Sequence, residues 1–446
     1  MSRIAILGGG ESGVGSAVLA KVKGFDVFLS DMGQIDGKYT DILEQWGIPY
    51  ETGGHSEDKI LNADEVIKSP GIPMTAPLVA KLRQQGTRII SEIEFAGRYD
   101  NAKKICITGS NGKTTTTSLI YYLLQQAGLN VGLGGNIGKS YAFQVATEQY
   151  DYYVLELSSF QLDNMYDFKA DIAIITNITP DHLDRYDHNM ENYVKAKFRI
   201  TQNMDKDDCF IFCSDDEITI NHLSQIIVKA KMLPFSQKQT LEQGAWLKDE
   251  ETISIKVSDE QESNIFLKEL ALGGKHNVYN SMAAAIAGKV MDIDNEVIRE
   301  SLGSFQAVEH RLEKVLNVGG VLYINDSKAT NVDAAWYGLE CQTRPVVWIV
   351  GGKDKGNDYA PLIPLAKEKV RAMVCMGLHN EKFHESFGDV VPVIEDCTSA
   401  ADAVKIASRL AKEGDVVLLS PCCASFDLFK SYEDRGRQFK EAVRKL

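Results

Sequence analysis

Up to Ile90 the chain alternates short apolar runs with amphipathic stretches: Ile4–Leu7, then Ser12–Val22 with helical spacing, then Asp26–Ser30, and later Glu65–Lys68 and Arg88–Ile90. Apolar runs too short for a helix, separated by stretches of helical periodicity, predict strand–helix–strand units around a parallel sheet. A second block of this kind opens at Lys104–Thr108 and continues through strand candidates Tyr152–Glu156, Ile172–Thr176 and Cys209–Cys213. It includes a hairpin-like stretch around Trp246–Val257 and ends near Ser304–Arg311. The third block has strands at Val321–Asn325, Val346–Val350, Ala372–Cys375 and Val416–Leu419, and closes on a charged helix, Tyr432–Leu446. A chain of 446 residues exceeds what one hydrophobic core organises, and the pattern predicts three α/β domains at 1–92, 93–304 and 305–446. In parallel sheets ligands collect beyond the carboxyl ends of the strands, so the residues just after each strand matter most.

Composition changes this picture little. With 44% hydrophobic and 25% charged residues, the chain has the makeup of a globular protein. A formal charge of −14 argues against nucleic acid or an anionic membrane as the main partner, since both reward excess Lys and Arg. Eight scattered cysteines form no CxxC pair and are expected as buried free thiols. Met1 leads straight into the first strand and no apolar run is long enough to cross a bilayer, so a cytoplasmic protein is expected. A monomer is the separate expectation for its assembly.

The strongest chemical signal is Gly109-Ser110-Asn111-Gly112-Lys113-Thr114, set between the apolar strand Ile105–Ile107 and the helical run Thr115–Ala127. Glycines let successive N–H groups converge on phosphate oxygens, Lys113 neutralises β/γ charge, and Thr114 can ligate Mg²⁺. The spacing is the short GxxGK[ST] form, because the longer one needs glycine at Ile107. Gly8-Gly9-Gly10-Glu11-Ser12-Gly13 matches GxGxxG after the first strand, with Asp31 placed to meet ribose hydroxyls. A nicotinamide dinucleotide, another ribose-bearing diphosphate, or a tight turn without ligand all fit that loop. Glu156 ends an apolar strand where an NTPase holds its metal, or pairs with a buried lysine. His182, in Asp181-His182-Leu183-Asp184-Arg185, is a metal-ligand candidate or a surface histidine, and Lys197 reads as a solvated helix lysine. Asn277 and Asn280 lie three apart at the start of an Ala-rich helix, suited either to a purine ring or, for Asn277, to capping.

In this order, and across essentially the whole chain, these motifs resemble the Mur ligases of bacterial peptidoglycan synthesis. Ser69-Pro70-Gly71, Gly134–Gly138, Leu155–Leu162, Asp181–Tyr186, Asn325–Asn331 and Ser420–Phe429 carry a narrower likeness, to the branch that adds D-glutamate. The resemblance implies an N-terminal Rossmann-like domain for the uridine nucleotide, a central P-loop ATPase-type sheet, and a C-terminal Rossmann-like domain for the amino acid. It implies ATP, two Mg²⁺ sites, and UDP-N-acetylmuramoyl-L-alanine and D-glutamate as substrates. Glu11, Ser12, Asp31, Met32, Gly71, Asn136 and Ser158 are then expected at the UDP-linked substrate. Gly109, Asn111, Gly112, Lys113, Thr114, Thr115, Asn277, Asn280, Arg311, Asp326 and Lys328 are expected at ATP. Thr114, Glu156, His182 and a carbamylated Lys197 are expected at the metal. Thr330, Lys355, Ser425, Phe426 and Tyr432 are expected at D-glutamate, and Lys113, His182, Lys197, Lys328 and Lys355 in catalysis. Met32-Gly33 departs from a Thr-Arg pair that can occur there, and Tyr432 from a familiar Phe. The rival readings are a muramate:L-alanine ligase, folylpolyglutamate synthase, a nicotinamide-dependent dehydrogenase, and a non-catalytic nucleotide-binding module.

Overall fold

The computed structural model describes residues 2–258, 262–305, 309–354 and 356–446. It is an α/β structure whose described strands form three sheets. The first sheet holds β1 (Arg3–Leu7), β2 (Asp26–Asp31), β3 (Tyr50–Thr52), β4 (Glu65–Lys68) and β5 (Arg88–Ile90), all parallel, in the order β3-β2-β1-β4-β5. The second holds β6 (Lys103–Thr108), β7 (Val131–Gly135), β8 (Tyr152–Glu156), β9 (Ile172–Ile175), β10 (Cys209–Cys213), β11 (Lys231–Ser236), β12 (Gly244–Leu247), β13 (Thr252–Lys256) and β14 (Ser263–Phe266). Its order is β14-β13-β12-β11-β10-β9-β6-β8-β7. The third holds β15 (Glu313–Val318), β16 (Val321–Asn325), β17 (Val346–Gly351), β18 (Val370–Met376), β19 (Ile394–Cys397) and β20 (Val416–Cys422), ordered β15-β16-β20-β17-β18-β19.

The predicted strands are present, and the expected hairpin is the antiparallel pair β12–β13. The pattern missed β3, β7, β11, β14, β15 and β19. The reasons are local: β7 reads Val-Gly-Leu-Gly-Gly, β11 contains Pro234, and β3 is three residues long, so none shows the β-branched or alternating signal. Interior strands such as β6, β8 and β9 are buried along almost their whole length, as a parallel sheet covered on both faces requires.

By compactness the chain forms two units, one of residues 1–270 with 279–304, the other of residues 271–278 with 305–446. In the first unit, the helix Lys113–Gln126 buries Leu119, Ile120, Leu123 and Leu124. Each such side chain contributes about 1.5–3 kcal/mol when fully buried, which anchors the helix that carries the glycine loop. β6 lies between β8 and β9, so the loops after these three neighbours emerge along one edge, at the crevice where an open α/β sheet binds its ligand.

Candidate active site

The loop after β6 is built around glycine geometry. Gly109 has φ +147° and Gly112 φ +82°; a Cβ on Gly109 would lie 1.9 Å from Thr176 Oγ1. The loop is tied to the segment after β9: Ser110 N donates to Asn177 O at 2.9 Å, Asn111 N to Asn177 Oδ1 at 2.9 Å, and Asn177 Nδ2 to Asn111 O at 3.0 Å. Thr176 Oγ1 donates to Asn111 O at 2.6 Å, and Ser110 Oγ to Thr179 O at 2.8 Å. With Ser110 and Asn111 engaged in this way, the first turn of the helix from Lys113 remains to meet an anion. Thr114 and Thr115 are buried in that turn, and Thr116 Oγ1 donates to Asn280 Oδ1 at 3.1 Å, which brings Asn280 to the loop helix.

Two lysines converge on one carbonyl. Lys113 Nζ donates to Gly109 O at 2.8 Å and Ser110 O at 2.9 Å, and Lys197 Nζ donates to Gly109 O at 2.7 Å. Lys197 comes from the helix Met190–Phe198 and is 2% exposed, over the Tyr193 ring at 4.5 Å, so its reading as a solvated lysine is corrected. Burial, reinforced by the Lys113 charge, pulls the Lys197 amine well below its ordinary value, towards the neutral, nucleophilic form.

Glu156 ends β8 opposite Ile107 and is 1% exposed; Asn136 Nδ2 donates to its Oε1 at 2.8 Å, and Asn136 N to its backbone carbonyl at 2.8 Å. Buried carboxylate and hydroxyl oxygens from Glu156 and Thr114 are hard donors, the set that suits Mg²⁺. Lys197 fits a cation only if its amine becomes a carboxylate, as a carbamate does. His182 has φ 52°, a side chain 42% exposed, and Nε2 3.6 Å from Asp181 Oδ2, with its ring edge on Phe160 at 5.2 Å.

On the first sheet, Gly8 has φ +100°, and a Cβ on Gly13 would lie 1.8 Å from Gly8 O. Asp31 braces this loop: Gly9 N donates to Oδ2 at 2.6 Å and Gly33 N to Oδ1 at 2.7 Å. Glu11 accepts from Tyr39 OH at 3.0 Å and Ser140 N at 3.1 Å, and Ser12 O accepts from Ser16 Oγ at 2.7 Å. Met32 and Gly71 are exposed, and Ser158 caps the helix Ser159–Leu162 in a reciprocal pair with Gln161.

In the second unit, Asp326 follows β16, accepts from Ser420 Oγ at 2.9 Å and Leu312 N at 3.3 Å, and is pushed up to about 7 by burial, with Arg311 opposing. Lys328 Nζ lies 5.4 Å from the Tyr432 ring centre, Thr330 N donates to Lys328 O, Ser425 is buried, and Phe426 is 68% exposed. Asn277 stands inside the helix Lys275–Val290 and donates its Nδ2 to Gly273 O at 2.8 Å. Lys355 lies outside the described residues. Sequence reasoning assigned no role to Arg435, which is 1% exposed and binds Ser327 O at 2.9 Å, Cys423 O at 3.2 Å and Gly351 O at 3.3 Å, the ends of three strands. Its signal was a charge in phase with the buried face of its helix, Gly436, Phe439 and Val443. Asn177, Lys68 and Glu92 were missed as well, since nothing in their local pattern marks them.

Comparison with known proteins bears on this arrangement. The MurD N-terminal domain matches residues 3–77, the Mur ligase middle domain residues 107–288, and the Mur ligase glutamate ligase domain residues 310–423. A UDP-N-acetylmuramoylalanine--D-glutamate ligase of Bacteroides fragilis is 60% identical over 447 residues, with 100% of each chain covered, and one of Bacteroides thetaiotaomicron is 59% identical with the same coverage. Among solved structures, UDP-N-acetylmuramate-alanine ligase from Thermotoga maritima has a TM-score of 0.65 at 21% identity, covering 100% of both chains. MurF ligase from Thermotoga maritima, solved in complex with ADP, has a TM-score of 0.61 at 14% identity, covering 94% of this chain and 95% of that one. These two likenesses concern the fold alone. The chain belongs to the Mur ligase family and, by full-length identity, to its group of UDP-N-acetylmuramoylalanine--D-glutamate ligases.

Proposed function

We infer that the chain joins D-glutamate to the L-alanine carboxylate of UDP-N-acetylmuramoyl-L-alanine with ATP, in peptidoglycan precursor synthesis. The full-length identity to ligases of that name carries the reading. A nicotinamide dehydrogenase would leave the Lys113–Gly109–Lys197 cluster without a task.

A carboxylate does not acylate an amine unaided, because its oxygen is a poor leaving group. A carboxylate oxygen of the L-alanine end attacks the γ-phosphorus and ADP departs, giving an acyl phosphate. The D-glutamate nitrogen then attacks the acyl carbon; inorganic phosphate leaves with that oxygen, and the amine loses its proton. Most of the rate comes from positioning and charge neutralisation, as is usual for phosphoryl transfer. Lys113 and the helix start from Gly112 to Thr115 hold the β- and γ-phosphates. Bound Mg²⁺, held by Thr114, Glu156, His182 and Lys197 as its carbamate, supplies Lewis-acid charge neutralisation. Neutral amines attack CO₂ and ammonium ions do not, so the depressed basicity of Lys197 supports the carbamate. Glu11, Ser12, Asp31, Met32, Gly71, Asn136 and Ser158 are assigned to the UDP-linked substrate, on a domain of residues 1–92. Asn277, Asn280, Arg311, Asp326 and Lys328 are assigned to the nucleotide. Thr330, Lys355, Ser425, Phe426 and Tyr432 are assigned to D-glutamate.

Phosphate release should be measured with ATP, Mg²⁺, UDP-N-acetylmuramoyl-L-alanine and one amino acid at a time. Release confined to D-glutamate is expected; release with L-lysine or meso-diaminopimelate but not D-glutamate overturns the assignment.

A further inference from the structure

The loop after β3 holds a histidine that the mechanism above does not use. His55 is half-buried, and its Nδ1 lies 2.6 Å from Ser30 Oγ, at the carboxyl end of β2. Ser30 Oγ also lies 2.6 Å from Glu51 Oε1, and Ser30 and Glu51 are register partners across β2 and β3. Glu51 accepts further from Ser56 N at 2.7 Å and Ser56 Oγ at 2.5 Å. Burial opposes its ionisation, but the Ser30 and Ser56 hydrogen bonds outweigh it and hold the carboxyl below its ordinary value. A serine hydroxyl has a single proton to give, and the short, charge-assisted bond takes it to Glu51 rather than to Gly54 O at 3.3 Å. Ser30 Oγ therefore meets His55 as an acceptor, and Nδ1 carries the hydrogen between them. In the neutral ring Nε2 is then a lone-pair acceptor. It has no hydrogen-bond partner among the described residues and is not closed off from solvent.

This acceptor sits at the carboxyl edge of the first sheet, where the strands run β3-β2-β1. Gly53 N donates to Gly33 O at 2.9 Å, Thr52 Oγ1 to Gly33 O at 2.7 Å and Gly54 N to Asp31 O at 3.3 Å, so the loop after β3 is stitched to the loop after β2. Ser30 O accepts from Gly8 N at 2.9 Å, which ties the same strand end to the first glycine loop. A nucleotide on such a sheet sets its diphosphate at the loop after β1 and its ribose at the acid that ends β2. The base, on the far side of the ribose, then points toward β3. The loop after β2 has little with which to read a base: Met32 is apolar and 65% exposed, Gly33 has no side chain, and both Asp31 oxygens already brace backbone amides.

We propose that His55 determines base specificity, its Nε2 accepting the imide N–H of the uracil in the UDP-linked substrate. This rests on the substrate reading above. Ser30 and Glu51 are positioning residues for that acceptor, since they hold the ring by one nitrogen and leave the other without a proton. Cytosine carries a lone pair at the ring position where uracil has its imide hydrogen. A cytidine nucleotide would therefore set two acceptors face to face, and a site built to bond a polar group rejects the analogue that lacks it.

The test uses the full chain as wild type, His55→Leu and Ser30→Ala, titrated with UDP, 2′-deoxy-UDP and CDP, with KM measured for all three substrates. The wild type is expected to bind UDP and 2′-deoxy-UDP within about twofold of each other and CDP at least about tenfold more weakly. His55→Leu should weaken UDP about tenfold and CDP by no more than about twofold, so that the preference disappears. Ser30→Ala should lose part of it, and in both variants KM for ATP and D-glutamate should stay within about twofold. Equal binding of UDP and CDP by the wild type, or an unchanged preference in His55→Leu, overturns the proposal. A His55→Leu loss that vanishes with 2′-deoxy-UDP places Nε2 on the ribose and overturns it too. If Ser30→Ala does not fold, His55→Leu decides alone, since its ring is only half-buried. A wild-type enzyme that forms no D-glutamate adduct overturns the substrate reading instead, and the preference for UDP over CDP then still decides whether His55 reads a uracil ring.

Discussion

Replacing Gly109 by alanine tests the architecture of the phosphate loop through one added carbon. The new Cβ would stand 1.9 Å from Thr176 Oγ1 and 3.1 Å from Asn177 O, at φ +147°. Backbone strain in that region costs about 1–3 kcal/mol for a non-glycine residue. Displacing the Thr176 hydroxyl also breaks its bond to Asn111 O at 2.6 Å. That bond contributes about 0.5–1.5 kcal/mol net, so the total is about 1.5–4.5 kcal/mol, against a global stability of about 5–15. Gly128 is the control: it too has positive φ, +75°, but an added Cβ meets nothing within 4 Å, so Gly128→Ala costs only the strain, about 1–2 kcal/mol. The assays are thermal unfolding and ATP-dependent phosphate release. Because the Gly109 carbonyl orients both Lys113 and Lys197, Gly109→Ala is expected to lose at least about 100-fold in turnover, a barrier increase of about 3 kcal/mol, while Gly128→Ala keeps near wild-type turnover. Turnover of Gly109→Ala equal to that of the control would refute the role given to the loop.

Lys197→Ala should abolish turnover while leaving ATP binding measurable, and intact mass of active enzyme should show an added CO₂ on Lys197; full activity of the variant would remove the carbamate. Glu92, fully buried, accepts from Ser140 Oγ and Ala142 N, and burial pushes it up to about 7 from 4.5. A carboxyl with a raised folded-state value destabilises the fold as pH rises through that window, so the wild type should lose up to about 3 kcal/mol between pH 4.5 and 7 and then level off. Chemical denaturation of Glu92→Gln should lack that part of the slope, and an unchanged slope would show that another group titrates. Arg435→Lys removes the fork that binds Ser327, Gly351 and Cys423 together, and KM for D-glutamate should rise about tenfold with KM for the UDP-linked substrate unchanged; equal values for variant and wild type would refute a positioning role.

What the sequence made legible follows from where its information is local. The glycine loop, the acidic end of β8 and the βα rhythm are written in consecutive residues, and the strands and loops stand where the apolar runs put them. Lys197 was not legible as a buried group, because a charge on a helix face reads as solvated until the facing strands are placed, and the burial of Arg435 was marked only by its phase with the apolar face of its helix. Asp31 illustrates a different limit: its position at the end of β2 was visible, but both carboxylate oxygens brace backbone amides, a task set by how the loop closes in space. Lys68 is placed only by the folded chain, where it and Arg185, more than a hundred residues away in sequence, hold the carbonyls of one turn. The resemblance carried the substrates and the carbamate, which no spacing of residue types could express.

The central claim is that the γ-phosphate goes to the L-alanine carboxylate. It is tested most directly with UDP-N-acetylmuramoyl-L-alanine labelled with oxygen-18 in that carboxylate, turned over with ATP and D-glutamate, and the released phosphate analysed by mass. Transfer of a single labelled oxygen to each phosphate is the expected result, because the attacking oxygen leaves with phosphorus. Product formed with unlabelled phosphate would contradict the acyl phosphate and the account built on it.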